Sequence, residues 1–368
     1  MSKKVKVAFC NRPNWDNPLG GDGVQMLKTK EALEKNYEIE IDIITEAAKI
    51  NSRYDIVHIF NYVTTEVTHT FFAQALKYGI PIASSSIYWD YSYIYSSISR
   101  YLFRKKFTHC TAKLLKFIST SLAKIIDRPK LLTKGTKKEY RYFIKSSDIV
   151  LPNSQEEADL LQKFCGIDIS NKVKIVYNGY TPVKACAVLS KEDFKLKYGL
   201  PEDYVLQVGR IETIKNQINV LYALKDNPNI PIIFIGKVVE ENYYRKVKRL
   251  AEKRGNVLFI DSVPHEEMNS FYKYAALHIL PSLRESPGLV SLEALSNGCP
   301  IIVSNEAYTP VNTYFSNQEY IVDPLDIETL HDTLLKAYKY RKVECSGFER
   351  FTWDNAAAQT WAAYQKII

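Results

Sequence analysis

The chain has 368 residues, 46% of them apolar and 24% charged, with a formal net charge of +8. That is the composition of a soluble globular protein long enough for two ordinary domains, and it excludes a disordered or low-complexity chain. No apolar run approaches the length of a membrane span, and MSKKVKVAFCN turns at once into an alternating strand rather than a signal peptide. The six cysteines (10, 110, 165, 186, 299 and 345) form no C-x-x-C pair and read as reduced thiols of a cytoplasmic protein, and no Cys/His cluster has metal-ligand spacing.

In chain order, strand and helix patterns alternate. Lys3–Cys10 alternates as a strand, Asn11–Gly23 is a polar loop with Gly20-Gly21 near its end, and Gln25–Glu34 has helical spacing. A double glycine lets backbone approach a ligand, although a tight turn explains it as well. Strands follow at Ile39–Thr45 and Asp55–Phe60, where His58 reads as a packed core residue rather than a catalyst. Asn61 lies at that strand's carboxyl end. A helix is expected over Val67–Tyr78 and a strand over Pro81–Ser86. Tyr88, Trp89 and Asp90 then lie at the carboxyl end of a strand, where α/β sheets bind ligands. Aromatic rings beside a carboxylate suit a sugar acceptor, and an aromatic core cluster is the competing reading.

The charge excess is local. Between Arg100 and Lys145 there are fourteen Lys or Arg against Asp127 and Glu139, a net +12 that leaves the rest of the chain at −4. Leu114–Ile126 within it has amphipathic helical spacing. The excess points to an anionic partner, either a lipid surface or an acceptor carrying a lipid pyrophosphate. A strand at Asp148–Pro152 and a helix capped by Asn153-Ser154 follow, with Glu156 and Glu157 suiting its first turn. A short strand at Lys174–Val176 precedes a domain boundary at Gly179.

The pattern restarts with a strand at Tyr204–Val208 and the loop Gly209-Arg210-Ile211-Glu212-Thr213-Ile214-Lys215. A bent loop of that length brings two cations onto one anion. Strands at Ile230–Ile235 and Val257–Ile260 and helices at Tyr243–Arg254 and Glu266–Ala276 lead to residues 277–304. This stretch reads as strand, loop, helix, turn, strand. Ser286 is the expected N-cap and Pro287 the first helical residue, with a stop at Asn297-Gly298. A phosphate at that helix mouth would meet the N–H groups of Gly288, Leu289 and Val290. Glu285 and Glu293 would repel it and should face neutral hydroxyls. A strand at Tyr320–Pro324, a helix at Ile327–Lys339 and a terminal helix to Ile368 complete the chain.

Glu285 and Glu293 resemble the E-x7-E element of retaining glycosyltransferases of family 4. Arg210 and Lys215 resemble that family's G-R-x-x-x-x-K element. Pro152-Asn153-Ser154 and Val176–Gly179 are similar to its PNS and V-P-N-G elements. The resemblance covers nearly the whole chain, strongest over Tyr204–Pro324. It implies an α/β fold of two Rossmann-like domains facing each other across a cleft (GT-B). The first would be an acceptor domain of residues 1–179, rejoined by a C-terminal helix at 352–368. The second would be a nucleotide-sugar domain of residues 180–351.

The implied reaction is retaining, metal-independent transfer of a hexose from a nucleotide-diphosphate sugar to an acceptor hydroxyl, with UDP favoured over GDP. No cofactor is implied. Arg210 and Lys215 would hold the diphosphate with Gly288, Leu289 and Val290, and Gly20 and Gly21 would approach it. Glu285 would contact the sugar, Glu293 the ribose, and the backbone at Val263 the base. Where many members carry a histidine, this chain has Tyr88, Trp89 and Asp90, the acceptor-side candidates. No D-x-D metal clamp is present. The family implies a lipid-linked or envelope polysaccharide acceptor. The protein is expected in the cytoplasm, peripheral at the inner face of the plasma membrane through residues 100–145, with no nucleic-acid partner. A nucleotide-sugar epimerase on the same fold and a non-catalytic scaffold binding an anionic partner are the rival readings.

Overall fold

The computed structural model describes residues 4–17, 19–89, 134–181, 190–344 and 346–368. Most of the basic segment, Asp90 and the amphipathic stretch Leu114–Ile126 lie outside them. The chain divides into two compact units, Met1–Gly179 with Arg350–Ile368 and Tyr180–Glu349.

The first unit runs β1 (Val5–Cys10), α1 (Gly21–Asn36), β2 (Ile39–Ile44), β3 (Ile56–Phe60), α2 (Thr65–Lys77), β4 (Ile82–Ser85), α3 (Lys134–Ser146), β5 (Ile149–Val150) and α4 (Gln155–Cys165). Its sheet is parallel throughout, in the order β2-β1-β3-β4-β5. β3 and β4 are buried at every position, as strands covered on both faces must be, and their sequences are accordingly near-continuous apolar or small. Expected strand Lys174–Val176 instead runs as an extended segment beside β5. Its Lys174 and Val176 N–H groups donate to the carbonyls of Val150 and Pro152.

The second unit contains α5 (Lys191–Tyr198), β6 (Val205–Val208), α6 (Gln217–Ala223), β7 (Ile232–Ile235), α7 (Glu241–Arg254), β8 (Val257–Ile260), α8 (Met268–Tyr274), β9 (Leu277–Leu280), α9 (Leu289–Ser296), β10 (Ile301–Ser304), α10 (Val311–Tyr314), β11 (Ile321–Val322) and α11 (Ile327–Tyr340). Its parallel sheet has the order β11-β10-β9-β6-β7-β8. That is the doubly wound Rossmann order, with the reversal between β6 and β9. The loops leaving β6 and β7 cross closely. A Cβ on Gly236 would lie 2.3 Å from the Gly209 carbonyl oxygen, and Gly236 has φ +149°, so only glycine fits there.

The chain ends in α12 (Trp353–Tyr364), which belongs to the first unit and buries Ala356, Ala357, Ala363 and Tyr364 against Met26 and Leu33 of α1 and the neighbouring strands. His58 anchors it. Its ring is 1% exposed, with Nδ1 2.6 Å from the Tyr364 hydroxyl and Nε2 2.9 Å from the Ser85 hydroxyl. Burial lowers its pKa to about 3, so the imidazole is neutral. It is a core residue, as its place mid-strand predicted.

Candidate functional site

In the second unit, the carboxyl ends of β6 and β9 flank the topological reversal, where open α/β sheets bind ligands. The expected α9 start needs correction. Ser286 is not its cap and Pro287 is not helical. The Ser286–Pro287 peptide is cis, Gly288 is the N-cap with φ +91°, and the helix begins at Leu289. Gly288 in the left-handed region cannot belong to the helix, and a Cβ there would meet Leu280 at 3.0 Å. Ser291 N–H donates to Gly288 O at 2.9 Å, so the anion-facing mouth narrows to the N–H groups of Leu289 and Val290 at the N-terminus of α9.

The loop after β6 is tied to the loop after β9 by backbone and side-chain bonds. Leu283 N–H donates to Ile214 O at 2.8 Å. The Asn216 amide, on a residue with φ +57°, donates to Pro281 O and Pro324 O at 3.0 Å each. From below, Gln207 donates to Lys215 O at 2.6 Å and Gln217 to Arg210 O at 2.9 Å. The loop carrying both cations is thereby fixed at both ends.

The result is an ion pair between the residues singled out as phosphate and sugar ligands. Lys215 Nζ lies 2.5 Å from Glu285 Oε1, both side chains largely buried. Arg210 is paired too. Its Nε and Nη2 lie 3.1 and 2.9 Å from Glu212 Oε1. Each of the two cations thus has a carboxylate partner within the two loops. Glu212 is 6% exposed, and burial raises its carboxyl pKa against the pull of Arg210 and Lys215. The sequence pattern did not single out Glu212, since a lone acid in a loop carries no signal of burial.

Glu293 lies on α9, its Oε2 accepting from the Tyr272 hydroxyl at 3.1 Å. Burial raises its pKa to about 7. Beneath the loop, His278 of β9 is wholly buried, its ring edge-on to Tyr272 at 5.7 Å. Burial, and then the Lys215 charge, lower its pKa to about 3. Val263 is half-buried in the loop after β8. No cluster of metal-ligating residues occurs among the described residues.

In the first unit, the reversal lies between β1 and β3. Arg12, Asp22 and Asn61 meet there. Asp22 Oδ2 accepts from Arg12 Nη2 at 3.3 Å and from Asn61 Nδ2 at 3.2 Å. Sequence reading placed Asn61 at this edge but missed Arg12 and Asp22, which are ten residues apart and join only when α1 docks. Gly20 is the N-cap of α1 and Gly21 its first residue, four positions before the expected helix at Gln25–Glu34, with open space where a Cβ on Gly21 would project.

Tyr88 and Trp89 are 4% and 0% exposed, and Tyr88 stacks on Phe164 at 5.2 Å. The aromatic-core reading describes their surroundings better than an open sugar platform does. In the described part of the basic segment, Arg141 donates to Cys165 O at the end of α4, so this cation serves a helix terminus.

Residues 190–345 match the family model described as glycosyl transferases group 1. An uncharacterized glycosyltransferase of Methanocaldococcus jannaschii is 26% identical over 212 residues, 53% of this chain and 54% of its own length. The O-antigen chain mannosyltransferase B of Escherichia coli is 25% identical over 200 residues, 51% of each chain. The chain thus spans about half the length of these curated relatives. Among solved structures, a glycosyltransferase of Rickettsia africae shares the fold over 99% of this chain and 98% of its own, with TM-score 0.67 and 13% identity. HepE of Anabaena, solved with UDP and glucose, does so over 99% and 95%, with TM-score 0.65 and 13% identity. The likeness establishes the fold, two Rossmann-like domains of GT-B type, and the family model matches within the second unit.

Proposed function

We propose that this chain is a retaining glycosyltransferase of family 4 that moves a sugar from a nucleotide-diphosphate sugar to an acceptor hydroxyl. The observation that carries the reading is the Lys215–Glu285 pair at the reversal between β6 and β9, with Arg210 beside it and the α9 N-terminus adjoining. A buried lysine and glutamate held this way exchange partners when an anion and a polyol arrive together. The diphosphate takes the ammonium, and the freed carboxylate accepts sugar hydroxyls.

In this reading the bond from the sugar's anomeric carbon to the β-phosphate oxygen breaks while the acceptor oxygen bonds to the same carbon on the same face. The acceptor's proton passes to the departing phosphate. Arg210 and Lys215 stabilise the charge developing on that phosphate, and neither Glu285 nor Glu293 transfers a proton. Glu293, with a pKa near neutrality, accepts from ribose hydroxyls. No metal enters the scheme. HepE, of like fold, was solved with UDP and glucose, which makes UDP the first nucleotide to test. The acceptor is a lipid-linked or envelope saccharide, in keeping with the E. coli mannosyltransferase of O-antigen chains among the relatives. The basic segment would hold the protein against anionic lipid at the inner face of the plasma membrane.

The test is a panel of UDP-, GDP- and ADP-sugars incubated with the protein and saccharide acceptors, read by nucleotide release and by mass of the products. Acceptor-dependent nucleotide release with retained anomeric configuration is expected. Conversion of a sugar nucleotide without acceptor, or no release from any donor, would overturn the reading.

A further inference from the structure

Strand β4 ends at Ser85. Ile87 has φ +47°, in the left-handed region, where a β-branched side chain crowds its own backbone. It is nevertheless 8% exposed and well packed. A conformation of this kind persists only where neighbouring groups over-determine it, and such residues cluster at functional sites.

The neighbouring group is Glu157, wholly buried in the first turn of α4. Its Oε1 accepts the Tyr88 N–H at 2.8 Å and the Ser86 hydroxyl, the two residues that flank Ile87. Its Oε2 accepts the Asn153 N–H at 2.9 Å, in the loop after β5. Its own N–H donates to Ser154 Oγ at 3.0 Å, which fixes the backbone that carries it.

A glutamate that merely capped its own helix would reach back to the N-cap residue, here Ser154. Glu157 reaches one residue further, to Asn153, and spends its other oxygen on a different strand's loop. Among the described residues every partner is a neutral donor, with no lysine or arginine bonded to it. Burial raises its carboxyl pKa. Only a group that accepts on both oxygens joins these two loops, which explains why a costly buried carboxyl occupies the position.

We propose that Glu157 is a positioning residue of the acceptor side, a clamp that holds Ile87 in the left-handed conformation and so sets the direction in which the chain leaves β4. The inference rests on the transferase reading above, because what the clamp positions is the carboxyl edge of the first unit's sheet, where the acceptor would bind.

Glu157→Gln keeps the shape but turns one accepting oxygen into a donor. Ser86→Ala, which removes one bond to Oε1, is the milder variant should the first fold poorly. With UDP-glucose as donor and octyl glucoside as acceptor probe, both should lower the transfer rate, Glu157→Gln by at least about tenfold. The dissociation constant for UDP, read by calorimetry, should stay unchanged, since the charged groups proposed to hold the nucleotide, Arg210, Lys215 and Glu293, lie in the other unit. In a melting-temperature cycle with Ile87→Gly, the double variant should lose less than the sum of the two single losses, because glycine adopts the conformation without a clamp. Additive losses, an unchanged transfer rate, or a parallel fall in UDP affinity would overturn the proposal. A wild-type chain that transfers from none of the UDP-, GDP- and ADP-sugars would defeat the transferase reading instead, and additivity in the melting cycle would then decide the clamp alone.

Discussion

Lys215 and Glu285 are each other's counter-ion at 2.5 Å. Breaking a buried pair by removing one charge leaves the other to whatever ion arrives next. Glu285→Gln should therefore abolish transfer while UDP binds at least as tightly as before. Arg210→Ala should weaken UDP binding by about 1.5–3 kcal/mol, the range for a hydrogen bond to a charged group. Calorimetry and transfer rates read both, and equal loss of UDP affinity in the two variants would take Glu285 off Lys215. Glu293 yields a pH signature. Its folded pKa of about 7 lies above the ordinary carboxyl value of 4.5. Its contribution to stability is thus complete below pH 4.5 and lost as pH rises through 7. Glu293→Gln, which is neutral at every pH, should gain stability relative to the parent between pH 5 and pH 8, by an amount on the order of 2 kcal/mol. Urea unfolding at both pH values measures it, and a pH-independent difference would mean the carboxyl is solvated.

The elements divide into those set by local chemistry and those set by contact. Ser154 and Thr352 cap α4 and α12 by accepting from Glu157 N–H and Asn355 N–H, and such caps are readable in sequence. The α9 start was misread because Ser286-Pro287 satisfies the same local rule. Gly288, held against Leu280 and Glu285, overrides it. Gly236 is a stricter case of contact. Gly236→Ala should destabilise the second unit by about 2–4 kcal/mol, since backbone rather than a yielding side chain blocks the Cβ. A melting temperature equal to the parent's would mean the β6 and β7 loops move apart freely. On the first unit, Tyr364→Phe removes the partner of His58 Nδ1, and about 1–3 kcal/mol should be lost with α12 loosened from β3. Amide exchange across 353–364 would report it, and unaltered protection there would mean the helix is held by apolar packing alone.

At the scale of the whole molecule, two parallel sheets each present their carboxyl edge with polar residues at the strand reversal, Arg210 with Glu285 in one and Arg12, Asp22 and Asn61 in the other. Among the described residues no helix is long and apolar enough to cross a membrane. The net +12 between Arg100 and Lys145 makes surface attachment testable. Vesicles containing anionic phosphatidylglycerol should carry the protein on flotation at low salt and release it above roughly 0.5 M, where the Debye length falls below about 5 Å. Retention that ignores salt would exclude an electrostatic contact.

Strand and helix order, the restart of the pattern, and the residue types at Arg210, Lys215, Glu285 and Glu293 were legible in the sequence, because hydrophobic periodicity and loop spacing are local properties of the chain. His58 was legible for the same reason, as a polar residue within an apolar strand. Charge pairing was not. Whether Arg210 and Lys215 are spare or compensated depends on Glu212 and Glu285 arriving beside them. The second pairing spans seventy residues and is brought about by Asn216 and Leu283 joining two loops. The burial of Tyr88 and Trp89, the left-handed Ile87, and the carboxyl of Glu157 that clamps it likewise arise only when β4 and α4 pack. Sequence determined which groups are available, and tertiary structure decided their partners, since charge and burial are set by neighbours in space rather than along the chain.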